Sequence, residues 1–229
     1  MKTPREIYTA YKTMPALQLH QLRVAAVGKL ICDNFSSKGG SASGGKNQVN
    51  ERDVVLACLF HDMGNILKFK LGQIPEFLEP EGLKYWKSIQ SDYRTKYGDD
   101  EHIASEVIAK EIRLSVDVIS CIASIKFSAA ETTKVTGTFE QKICEYSDSR
   151  VGPRGVVSLM ERLEEGRKRY LADGRKSSLA SPQDTFDVLA RAEHDIEKQI
   201  FSHTTTKPED INDATVAPLV EELWKYPVA

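Results

Sequence analysis

Leu56-Ala-Cys-Leu-Phe-His-Asp-Met-Gly-Asn65 (LACLFHDMGN) is an apolar run that closes on an adjacent histidine and aspartate, with a glycine two residues on. A histidine and a carboxylate resist full burial unless something satisfies them. Either the pair sits at a wet helix end, or a partner such as a metal ion holds it. The apolar spacing from Glu51 onward predicts a helix running to about Leu67, so the pair is expected on that helix.

Outward from this run the periodicity is helical almost throughout, and no period-2 strand of useful length is found. Toward the N-terminus, Ala16 to Phe35 places Leu17, Leu22, Val24, Ala25, Val27, Leu30 and Ile31 on one broad apolar face. Between the two helices lies SSKGGSASGGKNQVN, Ser36 to Asn50, whose glycine, serine and lysine cannot bury a core. That composition predicts a flexible loop, with Lys38 and Lys46 as candidates to close over a phosphate.

Toward the C-terminus the pattern predicts a helix over Gly82 to Lys96, carrying Tyr85, Trp86 and Tyr93, which are either core aromatics or a stacking surface for a base. Gly98-Asp-Asp100 reads as a stop and an N-cap. Helices are expected in EHIASEVIAKEI, VDVISCIASI and FEQKICEYSDSR. Another is expected in VVSLMERLEEGRKRYL, one from Pro182 to about Ile200, and a terminal one docking through Leu219, Leu223 and Trp224. The expected organisation is a single all-α bundle over residues 1–175, with the 36–50 loop inserted, and C-terminal helices in 176–229 packed on the same domain.

The chain has 229 residues, enough for one large core, with 41% hydrophobic and 28% charged residues. Its formal net charge of −2 sets up no global field toward nucleic acid or an anionic membrane, so neither is an expected partner. Any anionic substrate must meet a local patch. The four cysteines are scattered without a C-x-x-C pair, and Cys32, Cys58 and Cys121 lie in apolar runs. The start, MKTPREIYTAYK, has no apolar signal core and no run approaches a membrane span. Together these favour a reduced, cytoplasmic setting.

Neighbouring residues on a helix differ by about 100° in direction, so His61 and Asp62 can flank one point above its surface. His20, on the preceding helix, and Asp148, on a later one, would complete a two-His, two-Asp set. Mixed imidazole and carboxylate ligands suit one divalent Mn, Fe, Co, Ni or Zn ion, whereas an all-oxygen shell would point to Mg or Ca.

The ordered elements HQLRVA (His20 to Ala25), HDMG (His61 to Gly64) and DSR (Asp148 to Arg150) resemble the H…HD…D signature of the HD-domain metal-dependent phosphohydrolases. The resemblance spans roughly Leu17 to Leu171. It implies an HD-domain-like helical bundle that holds an ion through His20, His61, Asp62 and Asp148. It also implies hydrolysis of a small phosphate ester or anhydride, often a nucleotide. A bare HD dipeptide carries no such weight, and His194-Asp195 is an example within this chain.

In that reading Asp62 and His102 are the catalytic candidates, and Arg23, Lys68 and Arg150 the substrate-binding ones. Arg23 falls one turn after His20 and could clamp a phosphate with its fork. His102 opens its helix where relatives carry a substrate contact, a proton donor or a second metal ligand. Two departures stand out. Asn65 replaces the lysine of HD-x-G-K, leaving Lys68 as the substitute, and Lys126 stands in the region where two-metal relatives have a histidine. The second departure argues for one ion and against an oxygenase with two irons. The competing expectation is a catalytically silent module on the same fold that binds a nucleotide or a protein partner. A homodimer through the amphipathic C-terminal helices is compatible with either.

Overall fold

A computed structural model describes residues 2–35, 49–172 and 181–228. The expected loop, with Lys38 and Lys46, lies outside the described residues except for Val49 and Asn50. Eleven α-helices, five short 3-10 helices and one hairpin of two-residue strands make up the regular structure among the described residues, so the fold is all-α. The helices are α1 (Pro4–Ala10), α2 (Pro15–Asp33), α3 (Glu51–Phe60), α4 (Gly82–Tyr97), α5 (Glu101–Glu111) and α6 (Val116–Ser124). They continue with α7 (Ala130–Thr136), α8 (Phe139–Asp148), α9 (Leu159–Ala172), α10 (Pro182–Phe201) and α11 (Asp213–Leu223). Strands β1 (Val151–Gly152) and β2 (Gly155–Val156) pair antiparallel just after α8, with Val151 opposite Val156.

Helix α3 is the axis of the molecule. Every residue from Val54 to Phe60 is buried, so this helix is enclosed on all sides instead of presenting one apolar stripe. It packs on α2, α6 and α8. Gly28 of α2 permits this approach: a Cβ there would meet Val54 Cγ1 at 3.0 Å, tighter than most packed contacts. One core cluster runs from Ile7 to Val228. Helix α11 lies on α2, and α10 lies on α7, α8 and α9, so the C-terminal helices share that core.

Two differences from the sequence reading have physical causes. Helix α3 stops at Phe60 with His61 as its C-cap, and Asn65–Lys68 continues as a separate 3-10 turn. The backbone N–H of Asn65 donates to Asp62 O at 3.0 Å, closing a three-residue step, while the N–H of Gly64 donates sideways to Ser105 Oγ at 2.9 Å. The pair therefore sits just beyond the helix, not on it. Second, α7 (AETTKVT) was not expected. A seven-residue helix with three threonines is marginal alone, and packing on α10 supports it. Of the two readings of the aromatic helix, the structure takes the core one for Trp86 and Tyr93. Trp86 Nε1 donates to Leu78 O at 3.0 Å and Tyr93 OH to Tyr11 O at 2.6 Å, leaving neither face for a base.

No helix among the described residues is long and apolar enough to cross a membrane.

Candidate metal centre

Three elements converge at one end of α3. Helix α2 brings His20, the cap of α3 brings His61 and the turn after it Asp62, and the last residue of α8 is Asp148. His20 Nε2 lies 3.0 Å from Asp148 Oδ1 and 3.6 Å from Asp62 Oδ2. His61 Nε2 lies 3.4 Å from Asp148 Oδ1 and 3.7 Å from Asp62 Oδ1. The two imidazole centroids are 5.5 Å apart. One atom each from His20, His61 and Asp62 falls within 4.8 Å of the others, so these three could hold a metal ion. Asp148 touches both imidazoles of that group.

The backbone around the cluster is pinned by groups that carry no motif of their own. Gln21, fully buried beside His20, accepts a hydrogen bond from the Asp62 N–H at 3.1 Å. Gly64 is where α5 crosses: a Cβ there would meet Ala104 Cβ at 2.7 Å and press on the Glu101 carbonyl. That crossing explains the glycine after the histidine-aspartate pair, since any side chain would push α5 away.

His61 is the most constrained member. Its Nδ1 donates to Cys58 O at 2.8 Å, which orients the ring as a backbone carbonyl orients a metal-bound histidine. Its Nε2 is buried and makes no hydrogen bond within the protein, although two carboxylates face it. Burial works against its charge, but Asp62 and then Asp148 outweigh that and push its pKa up to about 10. Burial likewise opposes the charge of Asp148, yet His20 and His61 hold its carboxyl well below the usual carboxylate range. The donor set of His20, His61 and Asp62, with one nitrogen buried and without a hydrogen bond and Asp148 against both imidazoles, is one that could hold a metal ion.

The other site candidates divide. His102, the second residue of α5, lies outside this cluster, 40% exposed and 3.8 Å from Glu101. Burial lowers its pKa, Lys126 and Lys68 add to the lowering, and Glu101 and Asp62 oppose it. Its charge is thus felt by Asp62 and by both lysines, a polar rim beside the cluster. Lys68 is exposed at the end of the 3-10 turn. Arg23 leans toward Asp213 of α11, at 3.8 Å. Arg150 is a correction. It is 3% exposed, and its guanidinium donates to Val157 O, Tyr146 OH, Pro208 O and Ile211 O, leaving no fork for a substrate.

A second acidic feature lies behind α8. Glu145 and Glu193 are both buried; Glu145 accepts from the Lys126 N–H at 2.7 Å, while neither Glu193 oxygen makes a hydrogen bond. Burial pushes Glu193 up to about 7, opposed by Glu145 and Ser149 and helped by Asp148 and Glu197, and burial with Glu193 beside it pushes Glu145 well above the usual carboxylate range. A raised pKa means that the folded state binds the proton more tightly. Glu193 therefore supports the fold fully below about pH 4.5, and that support is lost as pH rises through about 7. Glu193→Gln is expected to flatten this loss and to stabilise the protein at pH 8 by about 2 kcal/mol. Urea unfolding at pH 5.5 and pH 8 checks it; an equal pH dependence in both proteins would count against the assignment.

Neither protein-family models, nor curated proteins, nor solved structures give a match to this chain.

Proposed function

We infer that the chain is a metal-dependent phosphohydrolase of the HD-domain type, acting on a small phosphate ester or anhydride, with nucleotides the first class to try. The observation that carries this is His61. A buried imidazole whose Nδ1 is tied to a carbonyl, and whose Nε2 has carboxylates and a second imidazole around it but no hydrogen bond, is built for a cation. The ordered H…HD…D pattern supports the same reading.

His20, His61, Asp62 and Asp148 would hold the ion. A bound Mn, Fe, Co, Ni or Zn supplies a water acidic enough to ionise near neutral pH and a Lewis acid for a phosphoryl oxygen. The chain's own groups supply the rest. Asp62, held in place through its N–H by Gln21, accepts the proton of the attacking water. Lys68 meets phosphoryl charge at the rim, and Arg23 joins it on exchanging Asp213 for phosphate. His102 has a pKa lowered by burial and by the two lysines, so it is poised as a neutral contact. An incoming dianion raises that pKa and makes His102 the proton donor to the leaving oxygen.

Protein purified without an affinity tag is expected to contain close to one transition metal per chain by elemental analysis, and to release phosphate from nucleotides in that metal. No metal after incubation with Mn, Co, Ni or Zn, with nucleotide binding that persists in chelator, would replace this reading by the silent binding module.

A further inference from the structure

A cavity of about 200 Å3 opens beside the end of α8, and Glu145 and Asp148 both stand on its wall. Three residues apart on one helix, they share a face. Glu145 is buried, and its Oε2 accepts the Lys126 N–H at 2.7 Å, which engages one carboxylate oxygen and brings no positive charge. The Lys126 ammonium turns instead to Glu106, at 4.0 Å. On α9, Arg162 and Arg169 share Glu165, 2.6 Å from Arg162 Nη1 and 3.2 Å from Arg169 Nε.

Helix α10 adds an independent feature. Glu193 is 0% exposed, and both of its carboxyl oxygens are buried without a hydrogen bond. It lies beside Glu145 and Ser149, and Ser149 lines the same cavity. Two carboxyls thus meet acceptor against acceptor, and the charge of Asp148 acts on both in the same sense. A buried carboxyl in that position is held either as a neutral acid or against a cation. The cavity gives a cation a way in and room for water around it.

We propose that Glu145 and Glu193 hold a hard divalent cation, calcium or magnesium, which completes its shell with Ser149 and with water from the cavity. The named donors are all oxygens, and an all-oxygen set suits these ions, whereas imidazole suits transition metals. Two carboxylates with water in the remaining positions are a common magnesium arrangement, and calcium accepts the same donors with looser geometry. This site is separate from His20, His61 and Asp62, and its occupation does not depend on the phosphohydrolase reading. Asp148 faces both places, so it is left out of the test.

The probe is calcium chloride, with magnesium chloride beside it, titrated calorimetrically into the full chain at pH 8 after metal has been stripped with chelator. Wild type is expected to bind calcium, and Asp62→Ala to bind it equally well. Glu193→Gln and Glu145→Gln, which keep the shape of each side chain, are expected to bind at least about tenfold more weakly, because each removes one charged ligand. Melting curves give a second readout. Calcium should raise the melting temperature of wild type and Asp62→Ala by mass action and leave that of Glu193→Gln unmoved. The stability advantage expected for Glu193→Gln at pH 8 should therefore narrow as calcium is added. No binding of either ion by wild type, or equal binding by wild type and Glu193→Gln, overturns the proposal. Binding lost in Asp62→Ala but kept in Glu193→Gln would also overturn it, by placing the ion at the histidine centre. Transition-metal content and phosphate release of the same preparations report on the phosphohydrolase reading separately.

Discussion

Asp62→Ala is expected to lose metal and turnover together while the chain stays folded. The carboxylate faces both imidazoles, at 3.6 Å from His20 and 3.7 Å from His61, so its removal deletes the candidate ligand set between the two histidines. Loss of groups merely supporting a ligand costs about 10–100-fold in metal affinity, which sets the lower bound for losing the ligand itself. The fold does not depend on it, because the Asp62 N–H bond to Gln21 is made by the backbone and survives the substitution. Elemental analysis, a melting curve and phosphate release on the variant decide the matter, and wild-type turnover in Asp62→Ala would sink the mechanism. The same centre predicts a pH dependence. His61 titrates at about 10 because its burial is outweighed by Asp62 and Asp148, so at neutral pH an entering ion must displace its proton. Apparent metal affinity is expected to rise about tenfold per pH unit below that value. Calorimetry at pH 7 in two buffers of different ionisation enthalpy should read close to one proton released per ion.

The candidate ligands were legible in the sequence because each is a titratable residue in an ordered pattern; packing brings atoms of His20, His61 and Asp62 within 4.8 Å of one another and sets Asp148 against both imidazoles. What fixes them in place was not. Gln21, Ser105 and the Cys58 carbonyl act through backbone groups or as ordinary polar side chains, which no spacing distinguishes from surface residues. The end of α3 was misplaced because Ile66 and Leu67 keep the apolar rhythm in a 3-10 turn, where both are still buried. The His194-Asp195 dipeptide shows the converse. It lies within α10, where Asp195 pairs with Lys198 at 3.5 Å. Glu193, next to it, carries no mark in the sequence that separates it from the other charged residues of α10, yet it is fully buried. Burial of a single charge against another element is a tertiary outcome, and periodicity does not report it.

Arg150 carries the last prediction, and it is a prediction about stability. Its guanidinium joins the end of α8 to the residue just after the hairpin through Val157 O. It reaches the segment before α11 through Ile211 O at 2.9 Å and Pro208 O at 3.2 Å. Through Tyr146, whose OH donates to Glu197 at 2.8 Å, it also bears on α10. Arg150→Ala leaves three backbone carbonyls without this donor at a position that is 3% exposed, and it empties the volume of the side chain. Breaking a buried charged network of this kind costs about 3–5 kcal/mol, or roughly 10 °C in melting temperature for a chain of this size. Arg150→Lys is expected to recover little, because one ammonium cannot serve acceptors spread around a planar fork. Metal should raise the melting temperature of Arg150→Ala through mass action on the folded state, since the four candidate ligands remain. A substrate-binding arginine would behave oppositely, with an unchanged melting temperature and a raised KM. Two residues before it in the chain stands Asp148, so the network that holds Arg150 also sets where α8 ends and where that carboxylate is presented to His20 and His61.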